Sequence, residues 1–331
     1  MKKTNIIASL LCMAALASCG KEEAATVPAP DGTRTAIVPT AGLSISAAPS
    51  VRAALPGGPV TAFPESTEKL FAVTAYKGTA APSSDYSNAY FDNEAVNSDA
   101  DGKLSFTNTQ YYPADAEKLY FYAYSPIVGA SNYTAGTASA APAVAWTIDG
   151  TQDIMYVSAV DGIGKVSAGT TQPQPEFNFG HKLKKIDFKL IQGTGFSEGV
   201  RATSVKLTNC RTQASLNLIT GALTFTGNAD QSIGLSSDEG YLIVPSAQAN
   251  DAAPIGCVMC QAGETKLDIE VVAQGITYKT SVTLESNKEG VAAGAAGVSH
   301  LVTLTFIGTQ ILPTAKIVDW EDAGETSGTI E

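Results

Sequence analysis

The chain is poor in the residues that catalysis and metal binding need. It has two histidines, His181 and His300, and no Gly-x-Ser-x-Gly elbow, phosphate loop or acidic metal loop. Cys257-Val258-Met259-Cys260 has the spacing of a redox motif or a zinc half-site. A structural zinc needs four ligands, and only Cys210, His181 and His300 remain to complete one. The reading is therefore no cofactor, no metal and no enzyme, with the cysteines as small buried sheet residues, with or without one disulfide. Cations are also short: 21 Lys and Arg against 32 Asp and Glu give a net charge of −11. Such a surface repels phosphate backbones and excludes a nucleic acid partner. Charged residues make up 16% and long helical periodicity is missing. The 44% hydrophobic content still suffices to bury a core.

Long apolar runs are also missing, with one short exception. Met1-Lys2-Lys3 precedes an apolar run at residues 6–16, the length of a signal-peptide core and too short to span a bilayer. Leu16-Ala17-Ser18-Cys19 then resembles the bacterial lipobox. By that resemblance the signal, residues 1–18, is cut between Ser18 and Cys19. Cys19 is acylated and holds the precursor on outer-membrane lipid. Lys21-Glu22-Glu23 resembles the short signal that sends Bacteroidales-type lipoproteins to the outer face of the outer membrane. Residues 19–41 read as a tether.

Beyond the tether the pattern is short alternating runs between Gly and Pro turns, the mark of an all-β chain with two tandem sandwiches. Strands are expected at 42–48, 70–76, 119–124, 153–158 and 240–245, with 267–271 pairing 277–284 through a turn at Gly275. Phe177, Phe179 and Leu183 alternate on odd numbers; Ile186, Phe188 and Leu190 alternate on even numbers. Either a β-bulge at Lys184-Lys185 or a change of domain makes that flip. The boundary is placed at the Gly193-Thr194-Gly195 turn, giving domains 42–194 and 195–331.

Several landmarks stand in one order: the lipobox; an early strand followed by Arg52; Tyr111-Tyr112-Pro113 with an aromatic strand ending Tyr124-Ser125-Pro126; Asp153-Ile154-Met155-Tyr156; Phe179-Gly180-His181-Lys182-Leu183; Tyr241-Leu242-Ile243-Val244-Pro245; and Ile317-Val318-Asp319-Trp320. That order resembles the fimbrillins, the type V pilus subunits of Bacteroidales. The resemblance implies two transthyretin-like β-sandwich domains and a lipoprotein precursor at the cell surface that ends in a fimbrium. It implies a protease cut between Arg52 and Ala53 that removes the first strand and opens a groove. It implies a donor segment at 310–331, with Ile311, Leu312, Ala315, Ile317, Val318 and Trp320 entering a neighbour's groove. Pro313 is expected to break that segment into two short strands. Implied partners are further copies or related pilins and host or bacterial surface receptors. Two other readings stay open, a pilus anchor or tip subunit and a lipid-anchored glycan-binding protein.

Three further groups of residues each admit a functional and a structural reading. His181 reads as a hydrogen-bonded sheet residue rather than a base. Lys182, Lys184, Lys185 and Lys189 read as a solvated strand face rather than an anion site. Trp146, Trp320, Tyr111 and Tyr112 read as core rather than a sugar platform.

Overall fold

The structure, a computed structural model, describes residues 34–43, 63–286 and 289–318. Thr35–Glu331 forms one compact unit; of the other, Met1–Arg34, only Arg34 is described. Twenty strands and two single-turn 3-10 helices, but no α-helix, occur among the described residues. The first ten strands are β1 Thr40–Leu43, β2 Phe71–Gly78, β3 Ala89–Ser98, β4 Leu104–Phe106, β5 Lys118–Ser125, β6 Tyr133–Thr134, β7 Ala143–Thr147, β8 Met155–Ile163, β9 Glu176–His181 and β10 Lys184–Gln192. The rest are β11 Arg201–Cys210, β12 Gln213–Asn217, β13 Leu223–Thr226, β14 Gln231–Leu242, β15 Val244–Pro245, β16 Gly256–Cys260, β17 Lys266–Ala273, β18 Ile276–Thr283, β19 Ser299–Ile307 and β20 Gln310–Val318.

The strands build four sheets. A seven-stranded sheet runs β1-β9-β8-β5-β2-β3-β4. A five-stranded sheet runs β15-β10-β19-β20, with β16 also on β10, and a four-stranded sheet runs β14-β11-β17-β18. The fourth sheet, β13-β12-β7-β6, takes two strands from each half of the chain. Alternation along β2 shows why the seven-stranded sheet is buried on both faces. Phe71, Val73 and Ala75 enter one core with Phe121, Phe177 and Phe179, while Ala72 enters another. That second core lies toward the mixed sheet and joins Tyr124 and Trp146 to Leu216 and Met259. A third core lies between the two C-terminal sheets, where Ile186, Phe188, Val302 and Phe306 meet Val205, Leu207, Ile269 and Val271.

Local chemistry explains two joints. Gln274 (φ 52°) and Gly275 (φ 73°) make the two-residue turn that pairs β17 with β18 from Ala273↔Ile276 outward. Positive φ at both central positions is the type I′ geometry that matches strand twist. At Gly221 (φ 66°) a Cβ would stand 2.3 Å from the Tyr156 ring, and the Tyr156 hydroxyl donates to the Leu218 carbonyl at 2.8 Å. The β12–β13 hairpin is thus seated against the N-terminal half.

The phase flip at Lys184-Lys185 is a change of sheet. β9 ends at His181 in the seven-stranded sheet, and β10 starts at Lys184 in the five-stranded one. The chain changes sheet there, before the Gly193-Thr194-Gly195 turn, and β12–β13 cross back afterwards. The lysine face is a correction. Lys184 and Lys185 are 0% and 2% exposed. The Lys184 amine donates to the Glu264 carbonyl, and Lys185 lies 3.4 Å from the Asp187 carboxylate. A period of two reports which face a residue takes, not whether both faces are covered.

Candidate functional site

The first and last described strands both lie at sheet edges. Among the described residues the β1–β9 pair is the one parallel pair of the seven-stranded sheet, matching Thr40 to Glu176 and Leu43 to Phe179. Ala41 and Leu43 are partly buried against the aromatic core. The residues just before β1 hold it more firmly than β1 holds itself. Ile37 is 3% exposed, its N–H donates to the Gln110 carbonyl at 2.8 Å, and Ala36 bridges Tyr111. The Tyr112 N–H donates to the Thr35 carbonyl, and the Val38 N–H donates to Gln174 Oε1 at 2.7 Å. The sequence reading put these residues in the tether. Burial here has a period of two, with Ile37 and Pro39 buried while Val38 and Thr40 are exposed, but the adjacent apolar pair Ile37-Val38 hides that alternation in the sequence. Past the connection, Phe63 packs against Phe71 and edge-on to Phe179 at 4.9 Å.

β20 is the opposite kind of edge. Nine residues pair antiparallel with β19 in unbroken register from Ser299↔Val318 to Ile307↔Gln310. Ile311 is buried in the C-terminal sandwich core, Ala315 packs against that core, and Ile317 is also buried, while Leu312 is 52% exposed. The donor residues expected from the sequence therefore do not share one face. Ile311, Ala315 and Ile317 point into the sandwich; Leu312 and Val318 fall on the other side of the strand. Pro313 is a correction: it stands opposite Leu304 inside one continuous strand. An edge strand tolerates proline because one of its sides has no ladder to donate to. Cys19, Ser18, Arg52, Ala53, Asp319 and Trp320 lie outside the described residues.

The other candidates resolve into structure. His181 Nδ1 lies 2.8 Å from Asp153 Oδ2, both side chains being buried. Trp146 and Tyr112 are 6% and 3% exposed, too enclosed to form a stacking platform. Among the described residues no group of three His, Cys, Asp or Glu could hold a metal ion. Cys210 and Cys260 are free thiols. Cys210 is the last residue of β11. Burial pushes the Cys210 thiol up to about 11 and the Cys260 thiol up to about 12, so both are protonated at neutral pH.

The described residues form an all-β protein whose first and last strands both lie at sheet edges. The match to a known family makes this specific: the fimbrillin-like family covers residues 64–320, and the chain belongs to it. Fimbrillins are structural rather than enzymatic, and membership implies a fimbrial or adhesion protein of the cell surface. Solved structures share the fold. A candidate cell adhesion protein of Bacteroides uniformis is 22% identical with a TM-score of 0.57, covering 88% of this chain and 100% of that one. One from Bacteroides ovatus is 18% identical with a TM-score of 0.53, covering 87% and 98%. One from Parabacteroides distasonis is 11% identical with a TM-score of 0.50, covering 88% and 98%. No match was found among proteins with curated descriptions.

Proposed function

We propose that the chain is a stalk subunit of a type V pilus, with tandem transthyretin-like domains, made as a lipoprotein anchored through Cys19 and assembled by donor-strand exchange. The protease cuts between Arg52 and Ala53, and the released piece carries β1 away with the lipid. The observation that carries this reading is the mode of attachment of β1. It is a four-residue edge strand on β9, continuous with the lipid-bearing terminus, and it contributes only half-buried side chains. Its loss would leave the β9 edge from Glu176 to Phe179 unpaired beside Phe177 and Phe179, both 0% exposed in the intact chain. An open edge with apolar pockets accepts an added strand. The contact is head-to-tail and propagates into a fibre. The donor lies in 310–331, and further copies or related pilins are the partners. Anchor and tip roles use the same fold, and differ in whether the lipid stays and how the chain ends.

The test is N-terminal sequencing of the protein taken from the cell surface, beside an Arg52→Ala variant. The expected result is a mature chain beginning at Ala53, with Arg52→Ala held as lipidated precursor without fibres. Normal fibres from the variant, or a mature chain that keeps β1, would overturn the proposal.

A further inference from the structure

The two edge segments share a sequence as well as an edge position. One is Ile37-Val38-Pro39-Thr40-Ala41-Gly42-Leu43, β1 with its lead-in. The other is Ile311-Leu312-Pro313-Thr314-Ala315-Lys316-Ile317, inside β20. Four of the seven positions are identical, and two more exchange one aliphatic side chain for another. The match extends to the side that each residue takes. Ile37 and Pro39 are buried, Val38 and Thr40 are exposed, and Ala41 and Leu43 pack half-buried against the aromatic core. On β20, Ile311 and Ile317 are buried, Pro313 and Ala315 are half-buried, and Leu312, Thr314 and Lys316 are exposed. In both segments the odd-numbered residues take the inner side. An edge strand needs alternation and tolerates a proline. It does not need isoleucine two residues before that proline and Thr-Ala directly after it.

The place of residues 37–43 is set by contacts that β20 could repeat. The Ile37 N–H donates to the Gln110 carbonyl at 2.8 Å, and the Thr40 N–H donates to the Pro175 carbonyl at 3.0 Å. The Val38 N–H donates to Gln174 Oε1 at 2.7 Å. Pro39 has no N–H to donate, and Pro313 falls at the same point of the repeat. The one large difference is Lys316 in the position of Gly42. A Cβ on Gly42 would stand 2.8 Å from Asn178 Oδ1, the end of an exposed side chain that can turn aside. Glu176 is exposed on the same side of β9, where Asn178 Nδ2 donates to its carboxylate at 3.3 Å. A lysine there brings a cation beside that carboxylate.

We propose that the groove left by residues 37–43 is filled by β20 of a second copy of this chain, residue for residue. Ile311 takes the place of Ile37, Pro313 that of Pro39, Ala315 that of Ala41 and Ile317 that of Leu43. The strand runs parallel to β9, with Thr314 opposite Glu176 and Lys316 opposite Asn178. This inference rests on the release of β1 proposed above, and adds the partner, the direction and the register. The partner is a further copy rather than a related pilin because this chain carries both versions of the repeat.

The test cuts the full chain after Arg52, separates the released piece, and offers the cut chain two labelled peptides, residues 35–43 and residues 309–318. Both should bind, within about tenfold of each other, and the uncut chain should bind neither. Ile317→Asp in the second peptide should weaken it at least about tenfold, whereas Leu312→Ser should leave its affinity unchanged. Register is read by mixing cut chains carrying Thr314→Cys with cut chains carrying Glu176→Cys or Asn178→Cys. Disulfide-linked dimers should form several-fold faster with Glu176→Cys than with Asn178→Cys. Binding of neither peptide would overturn the groove, and the pilus reading with it. Binding of 35–43 without 309–318 would overturn this inference and leave the groove standing. Faster linkage to Asn178→Cys, or no linkage to either position in chains that bind both peptides, would do the same.

Discussion

β1 and β20 are the first and last described strands, and each lies at the edge of its sheet, yet they are held by different physics. β1 has four residues, a parallel partner and half-buried side chains. Its anchor is Ile37, three residues before its start, which is 3% exposed. β20 has nine residues, an unbroken antiparallel ladder with β19, one isoleucine, Ile311, inside the sandwich core, and a second, Ile317, buried. Burying such a side chain contributes roughly 1.5–3 kcal/mol. A strand held by few side chains can leave without unfolding what it leaves. A strand that closes a core cannot, unless something replaces it. If 310–331 is the donor, the polymer joint therefore has to outcompete contacts that the monomer already makes.

The largest expected effect is removal of β20. A chain ending at Thr309 loses the ladder partner of β19 and both isoleucines. It should lose several kcal/mol, a large part of the roughly 5–15 kcal/mol that a domain has. Denaturant unfolding of the truncated chain checks this. A truncated chain as stable as the full one would end the contrast between the two edges. Loss of fibres from this truncation would not by itself identify the donor, because the monomer is damaged too.

Ile317→Asp comes next, at about 4 kcal/mol, because it buries a carboxylate opposite His300, an imidazole that burial holds toward its neutral form. The check is the urea midpoint at unchanged slope. A shift as small as that of an exposed position would mean that Ile317 does not face the core.

These two effects bear on what the sequence could reveal. Alternation and turn residues located the long apolar strands, and the β17–β18 hairpin could be read from its turn at Gly275. β3 escaped because its sequence is polar and because Asn93, at φ 52°, interrupts the alternation with a bulge. The pairing of β7 with β12 escaped because nothing local encodes a partner some seventy positions away. The C-terminal stretch at 240–245 was expected as a buried strand. Only its glycine and Ile243 are buried, and Leu242 is 41% exposed, because β14 is the edge of its sheet. For the candidate site, the edge strands were legible from their apolar residues at the two ends of the chain. Which of those residues share a face was not, since Pro313 suggested a break that edge position makes unnecessary.

Release of β1 should cost less than either change to β20. A chain cut after Arg52 loses Ile37 and the two half-buried residues of β1, about 2–3 kcal/mol by area. It should stay folded, with faster amide exchange confined to the β9 edge at residues 176–179. Thermal unfolding and hydrogen exchange before and after the cut measure this. Global unfolding on cleavage would make β1 a structural strand like β20 and erase the difference between them.

The smallest monomer effect is the most discriminating one. Leu312 and Lys316 stand on the outer side of β20, where substitution changes stability by no more than about 0.5 kcal/mol. Leu312→Ser should therefore leave the monomer as stable as before, unlike Ile317→Asp on the same strand. A donated strand offers alternate side chains to the pockets of its groove, so only one of its two faces carries the joint. If β20 enters a neighbour with the face it now buries at home, fibres of Leu312→Ser should be as resistant to dissociation as the parent fibres. If it enters with the other face, those fibres should dissociate readily while the monomer unfolds at its usual denaturant concentration. Mixing cleaved subunits and comparing fibre dissociation with monomer unfolding separates the two cases. The reading of β20 as a strand that moves without turning over requires the first. Weakened fibres from Leu312→Ser would show that the strand rotates when it is donated.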